Sequence, residues 1–153
     1  MTTDPATYSL TGDSLFTYNC PNKIYTSLKA YNKTVDWSIV KHRGHQQNSG
    51  RSFTPETNSL QHIGELTGLH QWVINCINDA RSRLHWRTET IPELAITQSW
   101  LNRSDTGEKH HKHIHPLSIL SAILYMTEPA ETEFITPSIY ALPTIIAPDK
   151  QSQ

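Results

Sequence analysis

Residues 117–125 (LSILSAILY) are almost entirely apolar, and they follow directly on a run that is almost entirely polar. A short apolar run entered this abruptly reads as a buried strand. The polar run is Gly107-Glu108-Lys109-His110-His111-Lys112-His113-Ile114-His115-Pro116, which places four of the nine histidines within six residues. Imidazole is the commonest protein ligand for transition metals, and residues i and i+2 of an extended segment project from one face. His113 and His115 can therefore converge on one cation where the chain enters the strand. His110 and His111 are next in line to complete a Zn- or Ni-like site.

Length and charge narrow the class. A chain of 153 residues suffices for one domain with its own core. A formal net charge of −1 gives no electrostatic case for nucleic acid or an anionic membrane surface. No apolar stretch approaches bilayer length, and Met1-Thr2-Thr3-Asp4 opens a polar N-terminus without a secretory signal. Cys20 and Cys76 lie far apart without CxxC spacing, so buried reduced thiols are expected rather than a disulfide framework. The expectation is a soluble cytoplasmic protein with no nucleic-acid or membrane partner.

Three segments follow from patterning. Residues 1–22 read as an extended N-terminal arm anchored through Leu15, Phe16 and Tyr18. Residues 23–137 form the single domain, and residues 138–153 a Pro-punctuated tail. Within the domain a short helix is expected over 24–31 and a long polar loop over 41–55, which carries Gly44 and Gly50. The strongest helical signal is Leu60, Ile63, Leu66, Leu69, Val73, Cys76, Ile77, Ala80 and Leu84, an amphipathic stripe at three- and four-residue steps. It predicts one long helix over 60–84, capped by Thr57 or Asn58, with Gly64 and Gly68 weakening it. A strand is expected at 94–102, a turn at 103–107, and short edge strands at 133–135 and 144–147.

Gly107 followed five residues later by His113-x-His115 opens like a cupin motif, but residues 117–120 carry none of the acid that motif needs next. A wider pattern fits better. Ser99-Trp100-Leu101-Asn102, a turn with Gly107, then His113-x-His115-Pro116-x-Ser118-x-Leu120-Ser121-Ala122-x-x-Tyr125 resembles a 2-oxoglutarate/Fe(II) oxygenase family of phages and bacteria. Its pattern is W-x-N, a Gly-bearing turn, H-x-H-P-x-S-x-L-S-G and a strand ending in Tyr, and Ala122 stands in the last place of S-G. The resemblance spans 48–137 and is densest over 99–125.

That resemblance implies an α+β fold: a jelly-roll-like double-stranded β-helix, here incomplete, backed by N-terminal helices including the long amphipathic one. It implies Fe(II) and 2-oxoglutarate as cofactors, with another divalent metal as the alternative, and hydroxylation of an unknown substrate. His113 takes the place of the proximal ligand; His115 stands where the wider superfamily has Asp, to ligate or to orient His113. His111 is a further candidate ligand, and Trp100, Asn102 and Tyr125 are candidates to line the pocket. The company of this motif implies a phage origin, and with it host cytoplasm or virion.

The chain departs from the pattern downstream. No histidine follows His115, no arginine follows Arg103, and Thr136 stands where an acid is usual before Pro137. Beyond Lys112, Lys150 is the sole basic side chain. Two alternatives to an active dioxygenase therefore stay open. One is a catalytically degenerate jelly-roll acting as a viral structural, assembly or interaction protein, whose open sheet edges homo-oligomerisation or docking would cover. The other is a His-rich metal-binding module. Ser118 and Ser121 lack a G-x-S-x-G setting and are expected to pack and hydrogen-bond within the strand.

Overall fold

The computed structural model describes residues 7–10, 13–41, 49–85, 93–115, 117–127 and 132–133. Its elements are β1 (Thr7–Leu10), β2 (Asp13–Phe16), α1 (Asn22–Asn32), β3 (Arg51–Phe53), α2 (Leu69–Arg83) and β4 (Leu101–Arg103). Single-turn 3-10 helices at Leu60–His62 and Gly64–Leu66 precede α2. The chain is thus α+β, with two α-helices and two antiparallel strand pairs, β1–β2 and β3–β4, among the described residues. It divides into two compact units. The first holds the described residues from Tyr18 to His110, the second those up to Thr17 and from His111 onward.

In the first unit, α1 begins directly after Pro21, whose carbonyl accepts the Tyr25 N–H at 3.0 Å. It covers the expected 24–31 helix and buries Leu28. The long helix expected over 60–84 is a correction: the stripe is real, the rod is not. Gly68 adopts φ +89°, a left-handed conformation that no straight helix contains, and α2 starts only after it. The stripe still faces inward, because the 3-10 turns present Leu60 and Leu66 to the interior and α2 presents Leu69 and Ala80. Leu66, at 1% exposure, is the best-buried large side chain among the described residues, and its turn packs on α1. Neither expected cap serves. Asn58 is left-handed at φ +58°, and Thr57 Oγ1 bonds within its own turn to Ser59.

The expected strand over 94–102 is reduced to β4, and the reason is where its polar groups go. Ser99 N–H donates to the Asn58 carbonyl at 3.2 Å. Ser99 Oγ accepts the Leu60 N–H at 2.7 Å and donates to Gln61 Oε1 at 2.7 Å, so this residue closes the first 3-10 turn from a distance. The expected loop over 41–55 also needs correction, since β3 lies inside it and pairs with β4 (Arg51 opposite Arg103, Phe53 opposite Leu101). Residues 42–48 of that loop lie outside the described residues. Three half-buried residues carry too little hydrophobic pattern to mark a strand, and the partner decides the pairing. Gly50 is needed for a close approach: a Cβ there would lie 2.5 Å from both His110 Nε2 and Ser104 Oγ. Beyond β4, Asp105 receives both Arg51 and Arg103. Hydrogen bonding from Arg103, then the charges of the two guanidiniums, hold its carboxyl below the usual range. The expected turn over 103–107 closes through Glu108 N–H to the Asp105 carbonyl at 2.9 Å, with Gly107 at φ +85°.

Tyr18 ties the start of this unit to α2. Its hydroxyl donates to Asp79 Oδ2 at 2.8 Å, and Arg83 Nε reaches the same oxygen at 2.8 Å. Burial, then the hydrogen bond and charge of Asp79, push the phenol well above its ordinary value. Burial likewise raises the Cys20 and Cys76 thiols, both half-buried and free.

Within the extended arm expected over 1–22, residues 7–10 and 13–16 of the second unit pair as an antiparallel hairpin, with Thr7 opposite Phe16 and Leu10 opposite Asp13, while residues 1–6 lie outside the described residues. Only Thr11 and Gly12 separate its strands, a connection of the length that tight hairpins use. The buried strand expected over 117–125 is not observed, and its apolar side chains stand largely in the open, Leu117 at 100% and Ile119 at 60% exposure. Leu117 takes φ +64°, and Ser118 N–H turns back to the His115 carbonyl at 3.3 Å. A turn at that point diverts the chain from the straight path that a strand continuing from His115 needs. Of the expected edge strand at 133–135 only Glu133 is described, and it is not in a strand; the strand at 144–147, Phe134 to Pro137 and the tail lie outside the described residues.

Two consequences can be measured. Leu66→Ala lowers unfolding stability by about 2–5 kcal/mol, as for other buried leucines, whereas Gly68→Ala, held at a left-handed φ, costs about 1–2 kcal/mol; urea titrations of both variants check this. Because the folded state favours the neutral Tyr18 phenol, its contribution is complete below the unfolded tyrosine value of about 10 and is lost as pH rises beyond it. Stability therefore falls on the alkaline side, and Tyr18→Phe flattens that part of the pH profile.

Candidate metal centre

The unit boundary cuts the histidine run between His110 and His111. His110 stays with the first unit, its Nε2 over Gly50. In the second unit His113 and His115 are brought together: their ring centroids are 5.0 Å apart, the planes tilt by 37°, and the two Nε2 atoms are 3.1 Å apart. His113 is exposed and His115 half-buried.

The outer nitrogens define the chemistry. His113 Nδ1 lies 2.7 Å from the His111 carbonyl oxygen. A carbonyl can only accept, so Nδ1 carries the proton and, in the neutral ring, Nε2 presents a lone pair. His115 Nδ1 lies 2.9 Å from Ser121 Oγ, a hydroxyl that can give or take a hydrogen bond. The pair thus points two ring nitrogens at one spot while both outer nitrogens are engaged.

That spacing can be compared with coordination geometry. At a metal–imidazole bond of about 2.0–2.1 Å, two ligand nitrogens lie about 2.9 Å apart at a right angle and about 3.3 Å apart at the tetrahedral angle. The 3.1 Å separation of His113 and His115 falls between these limits, so the two donors fit a divalent cation held in common. Among the described residues no third His, Cys, Asp or Glu joins them in a group able to hold a metal ion.

The other candidates are placed as follows. His111 contributes its carbonyl to the pair, and its ring is exposed. Asn102, on β4, accepts a hydrogen bond from Ser52 Oγ at 2.7 Å, and Trp100, two residues earlier, is half-buried; both belong to the first unit. Tyr125, in the second unit, donates to Thr132 Oγ1 at 2.6 Å. Ser121 is the member that sequence reasoning assigned elsewhere. Six residues along a straight strand would separate it from His115 by about 20 Å, and only the turn at Leu117 brings it back.

A paired-imidazole site in an α+β chain is the class that these observations define. Residues 98–150, roughly a third of the chain, match a family model described as "Putative 2OG-Fe(II) oxygenase". The match includes the whole segment 99–125 on which the resemblance is densest, and it supports that family. No curated protein and no solved structure matches the chain. No helix among the described residues is long and apolar enough to cross a membrane.

The geometry sets an expectation for the metal-free protein. Long-range 1H–15N correlation spectra show His113 as the Nδ1–H tautomer, and an Nε2–H tautomer there contradicts the assignment.

Proposed function

We propose that this chain is a 2-oxoglutarate/Fe(II)-dependent dioxygenase-like protein that hydroxylates a substrate, with His113 and His115 as its metal ligands and a jelly-roll sheet as its scaffold. The observation that carries the reading is the 3.1 Å approach of the two Nε2 atoms inside the segment matched by the oxygenase family model. Bound Fe(II) and 2-oxoglutarate would activate O2, the oxidant, one oxygen atom ending in the substrate C–H bond and the other in succinate as CO2 leaves. The chain's own part is to hold and orient. The His111 carbonyl keeps the proton of the neutral His113 ring on Nδ1, which leaves Nε2 free to donate its lone pair to a metal. Two protein nitrogens leave further coordination positions for cosubstrate and water, as a site that must bind O2 requires. His111 serves through its backbone in this reading.

A second reading, a jelly-roll that works by association with other chains, has one observation in its favour: Leu117, Ile119 and Ile123 stand exposed at 100%, 60% and 54%. Where exposed apolar side chains form one patch, they mark an interaction surface.

Iron-dependent release of succinate from 2-oxoglutarate separates the two. The first reading expects release that His113→Ala and His115→Ala each reduce to the level of iron without protein. No release from protein with iron bound, together with self-association that Ile119→Asp and Ile123→Asp abolish, favours the second.

A further inference from the structure

We infer that Ser121 is a positioning residue that supports His115 whichever of its nitrogens carries the proton, and so lets the pair pass between a self-paired and a metal-holding state. The inference rests on the reading of His113 and His115 as metal ligands.

The argument starts from a conflict at the short contact. His113 Nε2 bears a lone pair, because its Nδ1 proton is committed to the His111 carbonyl. At 3.1 Å, His115 Nε2 cannot present a second lone pair to it without repulsion, unless a cation stands between them. In the metal-free protein His115 must therefore place its proton on Nε2 and donate to His113. Its Nδ1 is then bare and needs a donor, which is the Ser121 hydroxyl at 2.9 Å. With a divalent cation between the rings, both Nε2 atoms must offer lone pairs. The His115 proton then sits on Nδ1 and needs an acceptor, and the same Ser121 oxygen supplies it.

One hydroxyl meets both demands because it gives or accepts according to the rotation of its O–H bond. A carbonyl could serve only the second state. The proton balance closes: His115 loses the Nε2 proton to solvent and gains one at Nδ1, so the ring stays neutral. Ser121 is itself exposed, so removing its hydroxyl leaves no cavity in a core. Ser121 lies six positions beyond His115, within the same second unit.

The test uses the full chain and Zn(II), which is diamagnetic. Histidine 15N spectra are recorded without and with Zn(II), and affinity is measured by competition with a chelator, for the native chain, Ser121→Ala, Ser121→Thr and His113→Ala. Native His115 is expected to change from Nε2–H to Nδ1–H on metal binding. Ser121→Ala weakens Zn(II) binding by about 10–100-fold, as loss of a ligand's supporting hydrogen bond does elsewhere, and Ser121→Thr restores it together with the tautomer change. If native protein binds Zn(II) no better than His113→Ala, the metal reading itself fails and this inference with it. If native protein binds through the pair but Ser121→Ala matches it in affinity and tautomer, only the role of Ser121 is overturned.

Discussion

A single backbone carbonyl settles the character of the candidate centre. The His111 oxygen lies 2.7 Å from His113 Nδ1 and can only accept, so it fixes a tautomer that no neighbouring side chain could otherwise guarantee. From that bond the rest follows in order. In the neutral ring His113 Nε2 presents a lone pair, His115 Nε2 is placed 3.1 Å from it, and the remaining nitrogen of His115 meets Ser121. The contacts form one chain: carbonyl, ring, ring, hydroxyl. Because each link dictates the hydrogen-bonding role of the next, the local sequence His111 to Ser121 behaves as a unit.

The turn after His115 makes this unit possible and also has a cost. Leu117 at φ +64° and the Ser118-to-His115 hydrogen bond reverse the chain, which brings Ser121 under the second imidazole. A bulky residue in the left-handed region carries steric strain. Leu117, Ile119 and Ile123 stand in the open, so their apolar surface adds little to stability.

Much of this was readable in the sequence, and the failures have identifiable causes. The i, i+2 placement of His113 and His115 foretold that their rings could meet, because the requirement is local. The apolar stripe from Leu60 to Leu84 foretold which residues face inward, and none of its members is exposed. It did not foretell where the helix breaks, since Gly68 reads only as a weak helix former until its left-handed φ is seen. Ser99 was read as part of a strand because nothing in its neighbourhood signals that its hydroxyl closes a turn 39 residues earlier in the chain. β3 was missed because its pairing with β4 is decided 50 residues away. Ser121 escaped notice for the same kind of reason: its partner depends on a turn that propensity disfavours at leucine.

X-ray absorption at the iron edge of the anaerobic, Fe(II)-loaded protein examines the central claim most directly. The account predicts a first coordination sphere containing two imidazole nitrogens, with the multiple-scattering pattern of ring ligands, falling to one in His113→Ala or His115→Ala. A sphere made of oxygen donors, unchanged by either substitution, would contradict it.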